Sequence, residues 1–227
     1  VKTIDKIIDA LFQIQGGYAL VMLTQNTLIG VRDPFGIRPL VIGKLNNSYV
    51  FASETCALDI IVAKYIRDVE NGEIISVQDD KLVSIKPFPA KKVRPCVFEY
   101  IYFSRPDSLL NGKCAYEYRK NFGAELAKES SLKADLVVPV PDSGNAAAIG
   151  FSQLTKIPFD LGLIRNHYVG RTFIEPAQKI RSLGVKLKLN ANKTTIKNKI
   201  IVLVDDSLVR GTTSHKIVKM LYDAGAK

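Results

Sequence analysis

No run of apolar residues in this chain approaches the length of a membrane-spanning helix, and no basic, apolar, small-residue leader opens it. Those two absences exclude a helical membrane protein and a recognisable secretory start, and the expected location is the cytoplasm. Cysteine is scarce. Cys56, Cys96 and Cys114 are odd in number, far apart and without a CxxC pair. That excludes a zinc knuckle within the chain and argues against a disulfide framework, so all three read as ordinary thiols. No GxxxxGK[ST] occurs, which excludes a Walker phosphate loop. Internal repeats and low-complexity tracts are absent too. So is an initiator methionine. The chain begins at Val1 and stops at Lys227 just after an Ala-Gly-Ala pattern, and both ends read as cuts in a longer polypeptide.

What is present is an ordinary globular composition of 227 residues, 47% hydrophobic and 24% charged, with a net charge of +10. Such a charge suits nucleic acid or an anionic small substrate. The lysines are scattered, however, as in Lys186-Leu187-Lys188 and Lys197-Asn198-Lys199, with no stacking aromatics between them. They read as a solvated surface and not as a nucleic-acid groove.

The two halves are patterned differently. Ile4, Ile7, Ile8, Leu11 and Ile14 predict an amphipathic helix over 2–14. Short β-like runs follow at 18–24, 27–32, 40–45 and 48–52, then a helix over 55–65, then strands at 73–78 and 81–86. Close spacing and hairpin turns predict antiparallel sheet in an α+β arrangement. A proline-bearing polar stretch, Pro87 to Pro95, is the expected domain boundary. Beyond it strand and helix alternate. Helices are expected over 115–130, from Asn145, and over 214–224; strands are expected at 136–140, 160–164 and 200–204. Tyr118, Phe122 and Leu126 form the apolar face of the first of these helices. That alternation predicts an α/β unit, a parallel sheet with helices on both faces and ligands at the carboxyl ends of its strands.

The most informative stretch runs from Ile200 to Ser214. Five apolar residues lead into Asp205-Asp206-Ser207, and Arg210-Gly211-Thr212-Thr213-Ser214 then precedes a helix. Two unit charges about 5 Å apart repel by about 3 kcal/mol at an effective dielectric near 20. A turn capped by Asp206 or Ser207 accounts for one acid only. A site accounts for both: adjacent carboxylates accept hydrogen bonds from neighbouring ribose hydroxyls, or serve a Mg2+ ion, and negative charge stabilises an oxocarbenium-like centre. The loop after them offers backbone N–H groups, a helix N-terminus and three hydroxyls to a single phosphate.

Two further segments carry candidate residues. Asp142-Ser143-Gly144 lies between a strand and an Ala-rich helix, and suits either a diphosphate loop or a plain turn capped by Asp142 or Ser143. The stretch from Arg165 to Pro176 joins cations, aromatics and Gly170, and suits either a lid, with Arg165 for charge and Tyr168 for covering, or a plain surface loop. His167 and His215 read as solvent or packing histidines and not as bases.

The run from Val202 to Thr213 resembles the phosphoribosyl-diphosphate (PRPP) signature of the type I phosphoribosyltransferases. Together with Cys96 to Ser108, Asp33-Pro34-Phe35-Gly36-Ile37-Arg38-Pro39-Leu40 and Ser53-Glu54-Thr55-Cys56-Ala57, it resembles the glutamine-dependent PRPP amidotransferase family along nearly the whole chain. The resemblance implies that residues 1–90 are the later part of an N-terminal-nucleophile (Ntn) hydrolase glutaminase domain, and that 91–227 are a phosphoribosyltransferase domain incomplete at its C-terminus. It implies that glutamine is hydrolysed and that the ammonia displaces diphosphate from PRPP, giving 5-phosphoribosylamine for purine synthesis. Asp205 and Asp206 would hold the ribose hydroxyls and, with Ser143, Mg2+. Ser207 and the Arg210, Gly211, Thr212, Thr213 and Ser214 run would complete the phosphate seat, and Asp142, Ser143 and Gly144 the diphosphate loop. Arg165 and Tyr168 would belong to the lid. Purine nucleotide inhibitors and a homo-oligomer are also implied.

The match has departures. The family's glutaminase nucleophile is an N-terminal cysteine, whereas position 1 is Val1, so the chain as given is not expected to hydrolyse glutamine. Some members carry a [4Fe–4S] cluster, and Cys96 matches its first ligand; members without a cluster also have cysteine there, and the remaining ligands would lie beyond Lys227, so a cluster in the longer parent stays open. A second reading is a non-catalytic PRPP-sensing regulator of purine genes. The net charge favours it, and the lid-like and glutaminase-like segments oppose it.

Overall fold

Ile4, Ile7 and Ile8 lie on one side of helix α1, Thr3–Leu11, and pack with the buried Leu11 against a sheet. The computed structural model describes residues 3–168 and 188–227. By its internal contacts the chain forms two units, Val1–Ala115 and Tyr116–Lys227. Among the described residues no helix is long and apolar enough to cross a membrane.

The first unit is built from antiparallel strands: β1 Ala19–Leu23, β2 Leu28–Arg32, β3 Val41–Leu45, β4 Ser48–Ala52, β5 Lys64–Asp68, β6 Ile74–Gln78 and β7 Lys81–Ile85. One sheet has the order β1-β2-β6-β7 and the other β4-β3-β5. Alternation decides which side each residue faces. Ile29, Val31 and Ile74 turn toward α1. Ile75 and Val77 turn the other way and join Leu40, Ile42 and Val69 between the sheets. The far face of the second sheet, Val41 and Val50, packs on Leu58 of helix α2, Thr55–Ile60. The layers therefore run helix, sheet, sheet, helix.

Three expectations change here. Helix α1 ends at Leu11, and 12–14 continue as turns. Helix α2 stops at Ile60, because Val62 takes a left-handed φ of 58° and the chain re-enters the sheet as β5. The first unit also runs past the expected boundary. Arg94 and Cys96 donate backbone N–H to Phe35 and Ile37 carbonyls at 2.8 and 3.1 Å. A π-helical turn, Glu99–Phe103, and a short hairpin, β8 Leu109–Leu110 with β9 Lys113–Cys114, follow within the same unit.

In the second unit, helix α3 spans Ala115–Glu129, β10 Leu136–Pro139, α4 Asn145–Thr155, β11 Leu163–Arg165, β12 Leu189–Ala191, α5 Lys193–Ile196, β13 Ile201–Val204 and α6 Thr212–Asp223. Strands β10 and β13 pair in parallel, with Pro139 opposite Val204. Val138 and Leu136 face Ile217 and Leu221 of α6. Val137 and Val204 face Ala127 of α3 and Ala148 and Phe151 of α4. Helices thus cover both faces of this pair. By contrast β11 and β12 are antiparallel, which the alternating pattern did not announce.

The expected apolar face of α3 is wrong. Phe122 and Leu126 are 43% and 44% exposed, while Ala115, Arg119, Gly123 and Ala127 turn inward. The reason is close packing. A Cβ at Gly123 would stand 1.8 Å from the Ala147 carbonyl oxygen, and one at Gly150 would stand 1.9 Å from that of Lys120. Helices α3 and α4 meet backbone to backbone through their small residues.

One buried carboxylate locks the two strands that end the first unit's sheets. Glu73, 1% exposed, receives Arg67 Nη1 and Nη2 at 2.8 and 2.7 Å, Ser84 Oγ at 2.6 Å and the Glu70 N–H at 2.6 Å. Burial raises its pKa, but these donors outweigh it and hold the carboxyl below its ordinary 4.5. Folding therefore favours the ionised form. Its contribution is present above about pH 4.5 and is lost as pH falls below that. Glu73→Gln should cost about 3 kcal/mol at pH 7, because a buried ion pair is broken. Urea unfolding checks it, and the deficit relative to the parent should shrink below pH 4. An equal midpoint at pH 7 would contradict the role.

Candidate functional site

Parallel pairing sends the chains leaving β10 and β13 out over the same edge of the sheet. The Val140 N–H still donates to the Val204 carbonyl, at 2.8 Å, so the two loops begin side by side. Gly144 closes this junction. A Cβ there would stand 2.4 Å from the Val204 oxygen and 2.9 Å from that of Val140. Only glycine lets the two backbones approach this closely. The Gly144 N–H donates to Val140 at 2.9 Å, and α4 starts at the next residue. The buried Oδ1 of Asn145 has no hydrogen-bond partner among the described residues.

Asp205 and Asp206 follow β13 directly and are half-buried. The Asp206 N–H donates to Asp205 Oδ1 at 2.9 Å, and Ser207 Oγ donates to Asp206 Oδ2 at 2.6 Å. Among the described residues neither carboxylate forms an ion pair. Burial pushes the Asp205 carboxyl up to about 6; the Asp206 N–H opposes this and the neighbouring Asp206 carboxylate adds to it. A negative pair at a strand end, with no cation paired to it among the described residues, is a donor set for a cation or for hydroxyl groups. Hard carboxylate and hydroxyl oxygens of this kind fit Mg2+, which takes oxygen ligands and retains water.

Arg210 is exposed, and Gly211 takes a left-handed φ of 70° that turns the chain into α6. Thr212, Thr213 and Ser214 form the first helical turn, whose N–H groups have no acceptor within the helix. They leave open N–H donors at the N-terminus of a 12-residue helix, a geometry suited to an anion.

Arg165 ends β11, and its Nη1 donates to Asp142 Oδ2. Neither loop announced this pairing in sequence, since the residues stand 23 apart and carry no shared pattern. Tyr168 is fully exposed and covers nothing among the described residues; its N–H donates to Asn166 Oδ1 at 3.1 Å. The rest of the expected lid, 169–176 with Gly170, lies outside the described residues. His167 and His215 are exposed, as expected.

The motif stretches of the first unit hold one another. Asp33 is fully buried and accepts N–H bonds from Phe35 at 2.9 Å, Ile37 at 3.0 Å and Arg38 at 3.3 Å. Glu54 Oε2 accepts from the Arg105 N–H and Ser108 Oγ, both at 2.7 Å, and Thr55 Oγ1 accepts from the Leu109 N–H at 2.9 Å. Arg38 pairs with the buried Glu99 at 2.7 Å. A cleft of about 190 Å³ lies among Arg32, Ile37, Glu54, Cys96, Glu99 and Ser108. Burial pushes the Cys56 thiol up, so it is a poor nucleophile. Cys114 Sγ donates to the Pro106 carbonyl at 2.8 Å. Among the described residues no three metal-binding side chains gather. Cys96 is one half-buried free thiol, and the described residues bring no second cluster ligand to it.

A family model described as a glutamine amidotransferase domain matches residues 1–59. The amidophosphoribosyltransferase of Rhizobium etli is 58% identical over 231 residues, taking in 100% of this chain and 47% of its own length. That of Bacillus subtilis is 48% identical, over 98% of this chain and 47% of its own length. A solved structure of the glutamine PRPP amidotransferase from Bacillus subtilis, complexed with ADP and GMP, superposes with a TM-score of 0.92 at 47% identity. The match covers 100% of this chain and 50% of that one. This chain thus spans about half the length of the curated relatives it matches.

The environment of the acid pair makes a direct prediction. In the ligand-free protein the Asp205 carboxyl carbon should titrate with a midpoint near pH 6 in NMR spectra. Because its folded pKa lies above the ordinary 3.8, ionising it costs stability as pH rises from about 4 to 6. A midpoint near 4 would contradict the buried setting.

Proposed function

The chain is homologous along its whole length to the amidophosphoribosyltransferases, and on that premise we propose that the protein transfers ammonia from glutamine to PRPP, giving 5-phosphoribosylamine, glutamate and diphosphate in purine synthesis. The observation that carries this reading is the junction of two loops at one sheet edge: the unpaired acids after β13 beside the glycine-closed loop after β10. In this reading the second unit, Tyr116–Lys227, belongs to a type I phosphoribosyltransferase domain and the sheets of the first unit to an Ntn-type glutaminase domain. The helix, sheet, sheet, helix layering and the amidotransferase match support the second assignment.

Each group has a physical task. Asp205 and Asp206 accept hydrogen bonds from the ribose hydroxyls and lay negative charge beside the sugar, where positive charge develops as diphosphate departs. Arg210, the N–H groups of 211–214 and their hydroxyls seat the 5-phosphate. Ser143 offers its hydroxyl and N–H to the diphosphate, and Gly144, whose own N–H is held by Val140, lets the loop backbone come close. Asp205, Asp206 and Ser143 would hold Mg2+, which supplies charge neutralisation of the phosphate oxygens when bound. No step is assigned to an iron–sulfur cluster. Purine nucleotides as inhibitors and a homo-oligomeric state belong to the proposal, the first supported by the relative solved with ADP and GMP. The three free thiols suit a cytoplasmic setting. A PRPP-sensing regulator is not favoured, since the relatives above carry the name of an enzyme.

Replacing Asp205 and Asp206 together by Asn should weaken Mg2+-dependent PRPP binding at least tenfold, as measured by calorimetry. This follows because charged hydrogen bonds of about 1.5–3 kcal/mol are lost. Unchanged affinity would remove the acids from the site. Tyr168→Ala should lower ammonia-dependent turnover by several-fold if the exposed ring becomes a cover over bound substrate. Full activity would leave Tyr168 a surface residue.

A further inference from the structure

Asp142 and Arg165 are each fixed by backbone, and their head groups meet at the surface. Arg165 is held opposite Leu189 in the β11–β12 pair, and the following Asn166 N–H donates to the Lys188 carbonyl at 2.7 Å. Asp142 is held by the Asn145 N–H on its carbonyl, at 3.3 Å, in a loop whose Gly144 N–H returns to Val140. The side chains then meet, Arg165 Nη1 donating to Asp142 Oδ2. The guanidinium is 41% exposed and the carboxylate 52%, so water and dissolved anions reach the pair without any rearrangement. Among the described residues this contact is the carboxylate's one hydrogen bond.

The chemistry of the pair is at odds with a purely cationic diphosphate site. An exposed guanidinium beside this loop is suited to phosphate, because its planar fork matches phosphate oxygens. A carboxylate in the same loop has the wrong sign for an anion. It repels the ligand and occupies the guanidinium that the ligand needs.

We propose that Asp142 is a displaceable counter-ion. It holds Arg165 at the mouth of the loop while no ligand is bound, and gives it up to the diphosphate group of an incoming substrate. This inference rests on reading 142–144 as the diphosphate loop, and it makes Asp142 a regulator of that loop's affinity and not a ligand in it. Exposed ion pairs of this kind shift an equilibrium by about fivefold or less. A diphosphate carrying more than one negative charge therefore outcompetes a single carboxylate. The exchange trims affinity equally for substrate and product diphosphate groups, and it returns Arg165 to a partner when diphosphate leaves.

The test is calorimetric titration of inorganic diphosphate at fixed ionic strength, with EDTA and then with Mg2+. The proteins compared are the wild type, Asp142→Asn, Arg165→Ala and the double variant. Asp142→Asn should bind metal-free diphosphate about three- to fivefold tighter. Arg165→Ala should bind it more weakly, and adding Asp142→Asn to Arg165→Ala should recover less than the single substitution gains, since the partner it frees is gone. With Mg2+ the gain in Asp142→Asn should persist. An unchanged or weaker metal-free affinity in Asp142→Asn overturns the counter-ion role. So does a loss confined to the Mg2+ titration, which would make Asp142 a metal ligand, or an equal gain in the Arg165→Ala background. A wild type that binds no diphosphate overturns the reading of the loop itself. A wild type that binds it, with no gain in Asp142→Asn, overturns only the exchange.

Discussion

The hydrogen bond from the Val140 N–H to the Val204 carbonyl is the constraint on which the site depends. It extends the parallel register of β10 and β13 by one residue past the last paired positions, Pro139 and Val204. Two loops distant in sequence therefore leave the sheet from the same edge and at the same level. Slip the register by one residue and every side chain of β13 changes face. Val204 would leave the α3–α4 core for the α6 side, and the acids would start from the wrong level. The apolar contacts on both faces thus hold the carboxylates in place.

Around that junction the structure tolerates features that a purely structural protein avoids. Two half-buried acids sit together with no cation paired to them among the described residues, and one has its pKa pushed up to about 6. A buried amide oxygen on Asn145 lacks a partner among the described residues. A helix N-terminus keeps its first donors open. The phosphorylated sugar proposed above would bring hydroxyls to the acids and a phosphate to the open helix N-terminus. The Asp142–Arg165 pair belongs to this set: it satisfies an arginine that would otherwise stand alone beside the loop.

Legibility in the sequence followed the source of each feature. The strand at 201–204 and its acids were readable, because five apolar residues ending at two charges have few structural explanations. The antiparallel order of the first unit was readable from alternation and turn residues. Strand β5 was not, since Lys64, Tyr65 and Ile66 are all exposed and only pairing with β3 makes them a strand. The buried side of α3 was misread because Phe122 and Leu126 outweigh Gly123 in any periodicity, whereas the packing is decided by how closely Gly123 approaches Ala147. Likewise the proline-bearing stretch at 87–95 looked like a separator. Its end, at Arg94 and the following Cys96, instead fastens to the loop organised by Asp33, and residues through Ala115 stay with the first unit. The Asp142–Arg165 contact is purely tertiary and left no trace in the pattern.

A crystal structure of the protein with PRPP and Mg2+ tests the central claim most directly. The account predicts the ribose hydroxyls on Asp205 and Asp206, the 5-phosphate on the backbone of 211–214, and the diphosphate against the loop at Ser143 and Gly144. Ligand density elsewhere, or a sugar bound with both acids turned away from it, would contradict the account.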